Sequence, residues 1–175
     1  MRRGRAVVFF LLLGAAGAAA AQTEWGLEAG YGFSVQLNRG RSEERLFLFE
    51  PSYGVKLGSR LEYVVEGHFA RYFSPTGYMV GLMPLTGRFY FGSGRVLAYV
   101  SVGAGFGWTD LVELDEIDRR FNFLLQGSLG VRGAVGNGSA WTLEARFSHV
   151  SNARTASPNL GLNCVVLLAG WRFRP

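Results

Sequence analysis

Two side chains near the C-terminal end of the chain could together form an activated nucleophile. His149 and Ser151 are two residues apart, in a stretch that begins as an alternating strand and becomes a loop at Asn152. On an extended backbone, residues at this spacing point to the same face. A serine hydroxyl beside an imidazole base is the pair that nucleophilic catalysis commonly uses. The fold of the rest of the chain decides which face carries them.

The first residues have the pattern of a secretory signal peptide. Three arginines lie among the first five residues, an apolar segment covers residues 6–13, and three alanines at 19–21 form a small-residue cleavage site. We therefore expect residues 1–21 to be removed and residues 22–175 to form one domain. Removal leaves 15 of the 18 basic side chains against 13 acidic ones, a net charge of +2. This near balance argues against nucleic-acid binding.

The composition favours a β protein of the membrane. The chain contains 14 Phe, 7 Tyr, 4 Trp and 25 Gly in 175 residues. After the signal segment, no apolar run reaches the roughly 18 residues that a membrane-spanning helix needs. A secreted chain with many aromatic residues and glycines but no such helix is a candidate outer-membrane barrel.

Alternation of apolar and polar residues predicts eight strands. Residues 25–37 alternate almost without a break, which is enough to cross a bilayer at about 9–11 residues per tilted strand. The predicted strands cover residues 25–37, 46–57, 61–73, 78–91, 96–108, 121–135, 141–152 and 163–173. Longer connections near 38–45, 74–77, 109–120 and 153–162 alternate with short turns, as in bacterial outer-membrane proteins. The pattern predicts an all-β fold, an eight-stranded antiparallel transmembrane β-barrel, with a local irregularity at Pro51.

The inner face of such a barrel should be filled by side chains, because eight strands enclose only a narrow lumen. Beside Gly and Ser, this face carries Glu28, Glu50, Glu62, Glu66, His68, Arg132, Glu144, Arg146 and Arg172. We expect the opposite charges to pair, since unpaired buried charges are costly. A filled lumen argues against channel activity.

His149 and Ser151 belong to the outer face. They continue the parity of the apolar positions of residues 141–147, and Asn163 has the outward parity of the last strand. Three polar side chains therefore converge on the lipid-facing wall, at the depth of the outer leaflet. Strand ends in the headgroup layer tolerate such residues, which is one interpretation. The functional interpretation is a Ser nucleophile, a His base and a third group that orients the His.

These residues resemble a known family, the outer-membrane lipid A 3-O-deacylases of the PagL type. The resemblance lies in a His-x-Ser-Asn strand end at residues 149–152, followed by Pro-Asn-x-Gly at residues 158–161. It implies an ester hydrolase of lipid A that uses no metal or cofactor, with Ser151 as nucleophile and His149 as base. It further implies that Asn152 and Asn159 stabilise the oxyanion and that Gly161 shapes the loop.

The chain departs from the family at the third catalytic position. Fourteen residues after His149, where the family has Glu, this chain has Asn163. An amide oxygen can accept a hydrogen bond from the imidazole, although it stabilises an imidazolium less than a carboxylate does. Glu144 has inward parity and is not a candidate for this role.

Two other functions fit the sequence. A non-enzymatic structural or adhesive barrel would use its charged loops at 38–45 and 109–120, and the Asn at position 163 favours it. A periplasmic lipocalin-like barrel would instead place its apolar residues inside.

Overall fold

The computed structural model describes residues 22–35, 43–112, 117–157 and 159–174. The expected signal peptide, residues 1–21, lies outside these ranges. The described chain forms eight strands: β1 Thr23–Ser34, β2 Arg45–Lys56, β3 Leu61–Ser74, β4 Thr76–Phe91, β5 Val96–Thr109, β6 Phe121–Gly136, β7 Ser139–Ser151 and β8 Leu162–Phe173.

The strands form a closed antiparallel barrel. Each strand pairs with the next along the chain, and β1 closes the sheet by pairing with β8 from Trp25↔Phe173 to Ser34↔Cys164. Closure removes the unpaired edges that an open sheet would expose. The fold predicted from alternation is confirmed. Among the described residues, no helix is long and apolar enough to span a membrane.

The connections divide the barrel into two ends. We call the end of the barrel where β1, β3, β5 and β7 end the long-loop end, and the opposite end, with the turns at residues 57–60, 92–95 and 137–138, the short-turn end. The loop predicted at 74–77 is wrong in extent, because β3 runs to Ser74 and β4 begins at Thr76. Backbone pairing continues there to Phe73↔Thr76, which leaves only Pro75 between the strands.

The two strand prolines mark local irregularities. The register between β2 and β3 is the same at Phe49↔Phe69 and at Ser52↔Glu66, but the pairing is interrupted at Glu50 and Pro51 between them. Pro84 lies in the register shift between Leu82 and Leu85 of β4. Both follow from the missing N–H of proline, which cannot donate to a ladder.

The outer wall is apolar and aromatic. Trp25 and Trp171 are exposed near the short-turn end, and Trp108 is exposed near the long-loop end. Aromatic residues at both rims are typical of membrane barrels. A lipocalin-like barrel would have its apolar side chains inside and a polar outer wall, so that interpretation is wrong.

Paired charges fill the short-turn half of the lumen, as predicted. Arg146 donates to Glu144 at 2.6 Å and to Glu50, and it lies 3.7 Å from Glu28. His68 is buried and its Nδ1 lies 3.0 Å from Glu50 Oε1. Further buried ion pairs include Arg132–Glu24, Arg172–Glu62, Arg88–Glu66 and Arg88–Glu144. The network neutralises buried carboxylates that would otherwise be costly.

The long-loop half of the lumen is apolar, which the sequence analysis did not anticipate. Inward side chains of β2, β3, β4, β6, β7 and β8 form one buried cluster there, joined by Leu111 and Ile117 of the β5–β6 loop. Its largest fully buried members include Leu48, Met79, Met83, Leu124 and Leu162. The prediction concentrated on charged inward residues and overlooked apolar residues of the same parity. The lumen is therefore half ionic and half apolar.

Replacing Arg146 by Met should destabilise the barrel by about 3–5 kcal/mol, because Glu50 and Glu144 lose their nearest cation. Urea unfolding of the purified barrel, followed by heat-modifiable gel mobility, measures the change. The matched control is Arg60→Met in an exposed turn, which should change the free energy of unfolding by less than about 0.5 kcal/mol. Equal effects of the two substitutions would contradict the role given to the ion network.

Candidate active site

The register of β7 and β8 brings His149 and Asn163 together. Their Cα atoms are directly paired, and His149 Nδ1 lies 2.8 Å from Asn163 Oδ1. An amide oxygen only accepts hydrogen bonds, so this contact places the ring proton on Nδ1. In this tautomer Nε2 is the ring nitrogen that can take a proton. The geometry therefore suits a His that acts as a base through Nε2.

Ser151 ends β7 on the same outward face. It is half-buried, and its Cα is paired with that of Phe123 on β6. Within the described part of the chain, no hydrogen bond joins Ser151 to His149. Hydrogen bonds between catalytic groups are often long without substrate and tighten when it binds.

The loop after Ser151 begins with a tight turn. Ala153 and Arg154 have positive φ angles of 52° and 64°, which cost non-glycine residues about 1–2 kcal/mol each. Thr155 holds the turn, since its backbone N–H and its Oγ1 both donate to the Asn152 carbonyl, at 3.0 and 2.7 Å. Strained backbone of this kind is concentrated at functional sites.

The two asparagines of the predicted oxyanion site contact each other. The backbone N–H of Asn152 donates to Asn159 Oδ1 at 3.0 Å, which leaves the Asn159 Nδ2 amino group as the donor of that amide. Asn152 is 0% exposed and Asn159 is half-buried. Asn152 therefore does not share the outer surface with Ser151. Pro158, the first residue of the second motif, lies outside the described residues.

Gly161 packs directly against the imidazole. Its φ is +77°, and a Cβ built at this position would lie 2.5 Å from His149 Cε1. A side chain here would therefore require both a strained backbone and a displaced ring. Glycine at this position allows β8 to start beside His149.

Inward neighbours hold the site strands in place. Val150 and Leu162 flank His149 and Asn163 in sequence, and both belong to the buried apolar cluster of the lumen. Glu144 points inward, where it accepts hydrogen bonds from Arg146 at 2.6 Å and Tyr99 at 2.7 Å. The exclusion of Glu144 from the site by parity is confirmed.

An apolar groove lies on the same outer wall. It has a volume of about 490 Å³ and is lined on β6, β7 and β8 by Leu129, Leu143, Ala145 and Leu167. Ala145 forms its floor, since it is paired with Leu129 on one side and Leu167 on the other. Ala145 is six residues before Ser151, about 20 Å along the strand at roughly 3.3 Å per residue.

Sequence reasoning missed Thr155 and Phe123. Thr155 could have been found, because a Thr three residues after an Asn in a loop commonly bonds back to the backbone. Phe123 could not, because its place opposite Ser151 depends on the register of β6 and β7. Within the described ranges, no group of three or more His, Cys, Asp or Glu side chains could hold a metal ion.

Several solved structures share this fold. The match to the crystal structure of the outer-membrane enzyme PagL covers 83% of this chain and 97% of the PagL chain, at 16% identity and a TM-score of 0.68. The match to Neisserial surface protein A (NspA) covers 87% of this chain and 97% of the NspA chain, at 15% identity and a TM-score of 0.63. The match to the N-terminal β-barrel domain of Pseudomonas aeruginosa OprF covers 87% of this chain and 99% of that domain, at 16% identity and a TM-score of 0.52. At these identities, the similarity establishes the fold alone.

Comparison with curated proteins found no match. The profile of the family described as "Lipid A 3-O-deacylase (PagL)" matches residues 26–172. The match runs from β1 to β8 and includes the strand ends and the loop that carry His149, Ser151 and Asn163. The chain therefore belongs to the lipid A 3-O-deacylase (PagL) family.

Proposed function

We propose that this protein is an outer-membrane esterase that hydrolyses the 3-position acyl ester of lipid A. Membership of the family supports lipid A deacylation. The observation that carries the mechanism is the hydrogen bond between His149 and Asn163 on the outward face, with Ser151 two residues further along it. The mature protein in this proposal is the barrel of residues 22–175, after removal of the signal peptide at 1–21.

The position of the site suits a substrate of the outer leaflet. The outer wall is apolar, as expected of a surface in contact with lipid, and the site lies on this wall at the long-loop end. In outer-membrane barrels the longer loops are extracellular. Ester bonds of lipid A lie between sugar and acyl chains, at the depth where His149 and Ser151 would then be found.

The proposed reaction uses Ser151 as the nucleophile and His149 as the base. Ser151 Oγ attacks the ester carbonyl while His149 Nε2 takes its proton, and the carbonyl oxygen becomes an oxyanion. Collapse of this intermediate breaks the bond to the sugar 3-oxygen, which leaves with the proton from His149. Water then attacks the acyl-serine with His149 again as base, which releases the 3-hydroxy fatty acid and restores Ser151.

Asn159, Asn152 and Gly161 would support Ser151 and His149 in this reaction. Asn159 would donate from Nδ2 to the oxyanion, because its Oδ1 is held by the Asn152 N–H. Asn152 would act through that contact as a positioning residue. Gly161 would keep the loop close to His149 without displacing the ring. The apolar groove around Ala145 would receive part of the acyl chain, since it lies below Ser151 on the same wall.

Replacing Ser151 by Ala should reduce lipid A deacylation to below about one thousandth of the wild-type rate, because the nucleophile is lost. Mass spectrometry of lipid A from cells expressing each protein measures the lost acyl chain. Ser148→Ala is the matched control, since Ser148 is on the same strand but buried in the lumen. Full hydrolysis by the Ser151 variant would contradict the mechanism. Unaltered lipid A with the wild-type protein would favour the non-enzymatic barrel.

Replacing Asn163 by Ala should lower kcat about ten- to hundredfold. The hydrogen bond to the charged imidazolium is worth about 1.5–3 kcal/mol, and about 1.4 kcal/mol corresponds to tenfold in rate. Asn163→Asp should equal or exceed the wild-type rate, since a carboxylate stabilises the imidazolium better than an amide. Initial rates with purified lipid A in detergent test both variants. An unchanged rate in Asn163→Ala would place the orienting role on another residue.

Replacing Gly161 by Ala should reduce hydrolysis at least tenfold, because the new Cβ would collide with His149 Cε1 and strain the backbone. Gly92→Ala is the matched control, since Gly92 has a similar φ of +86° but open space around it. The positive φ should cost each variant about 1–2 kcal/mol of stability, but only Gly161→Ala should lose activity. Rates and urea midpoints measured together separate the two effects, and equal activity of the two variants would contradict the packing argument.

A further inference from the structure

A recess beside the site combines basic and aromatic side chains. It has a volume of about 380 Å³ and is lined by Trp108, Arg119, Arg120, Phe121 and Thr155 at the long-loop end. Pockets that hold small molecules or their fragments have about 300–1,000 Å³. None of these five residues has a role in the ester hydrolysis described above, apart from the Thr155 contact with Asn152.

The recess adjoins Ser151. Phe121 is paired with Trp108 of β5 and lies two residues, about 7 Å, from Phe123, which is paired with Ser151. Thr155 forms another wall, and its two hydrogen bonds fix the carbonyl of Asn152, the residue after Ser151. One wall of the recess is therefore built on the loop of the candidate active site.

The backbone that carries the two arginines is anchored from below. The buried Asn122 side chain donates to the Arg119 carbonyl at 2.6 Å, and the Thr109 N–H donates to the Arg120 carbonyl at 2.8 Å. Both arginines are exposed. Within the described ranges, neither guanidinium lies within 4 Å of a carboxylate. The backbone of two basic residues is thus anchored beside the site, and their side chains extend from it into solvent.

We propose that this recess binds a phosphate group of the substrate headgroup and positions the ester over Ser151. This inference rests on the proposed lipid A deacylase function. Guanidinium groups bind phosphate through paired hydrogen bonds. Trp108 and Phe121 provide the apolar side that faces the acyl region. A phosphorylated glycolipid has the same two halves, so its phosphate would contact the arginines while its chains run along the wall.

A nonspecific attraction between rim cations and an anionic membrane surface is the competing explanation. Arg45 tests it, because it is exposed at the same end of the barrel, on β2, and does not line the recess. Loss of the cation at Arg45 removes half of the charge that is lost when both recess arginines are replaced, so a nonspecific attraction would lose about half as much binding free energy. Specific binding requires the recess residues to differ from Arg45.

The experiment compares wild type, Arg119→Gln/Arg120→Gln and Arg45→Gln on phosphorylated and phosphate-free lipid A in neutral detergent. The wild type should hydrolyse the phosphorylated substrate with at least tenfold higher kcat/KM. The double variant should lose this preference through KM, with kcat changed less than about twofold, and Arg45→Gln should keep it. A preference retained by the double variant, or an equal loss on both substrates, would overturn the proposal. Heat-modifiable gel mobility verifies folding.

A binding arm separates this proposal from the proposed function. Ser151→Ala protein, with and without Arg119→Gln/Arg120→Gln, is titrated with the same two lipids. Tenfold weaker binding of the phosphorylated lipid by the triple variant, and equal binding of the phosphate-free lipid, would support the recess even if the wild type hydrolysed neither. Equal binding of the phosphorylated lipid by both proteins would refute it even if the wild type is an active deacylase.

Discussion

The narrow lumen of an eight-stranded barrel must be filled by its own side chains, and every other feature of this protein depends on that constraint. Inward residues alternate with outward ones, so about half of the side chains of each strand point into the lumen and fill it. The six glutamates at 24, 28, 50, 62, 66 and 144 are buried beside the arginines at 88, 132, 146 and 172. Because the interior is occupied, chemistry on a substrate of membrane size is left to the outer wall.

The division of the lumen matters for the candidate site. Ion pairs fill the half near the short-turn end, and apolar side chains fill the half behind His149, Ser151 and Asn163. Close-packed apolar interiors resist small displacements. Val150 and Leu162 thus fix the strands whose next residues point outward into the site. Polar lumen side chains at this level would have required their own hydrogen-bond partners immediately behind the candidate site.

Much of the barrel could be predicted from the sequence because period-two alternation encodes both strand and face. It placed His149, Ser151 and Asn163 on the outer wall and Glu144 inside. It could not predict the contact of Gly161 with the imidazole or the bond from Asn152 to Asn159, because these depend on the path of an irregular loop. The resemblance to the deacylase family assigned Asn152 to the oxyanion site, although the residue is buried where the strand ends. Alternation stops being informative where the strand stops.

The neutral amide at position 163 is consistent with where the site lies. Asn163 is only 8% exposed before any lipid covers the wall, so a carboxylate in its place would be ionised with little water around it. Charged groups on a lipid-facing surface are costly unless they are paired, and a neutral imidazole carries no charge that could pair with a carboxylate at position 163. An amide avoids that cost in the resting site and still fixes the ring through Oδ1. In the proposed mechanism, the amide gives up attraction to the imidazolium that forms during hydrolysis. The balance between these two effects would then set the rate of the proposed reaction.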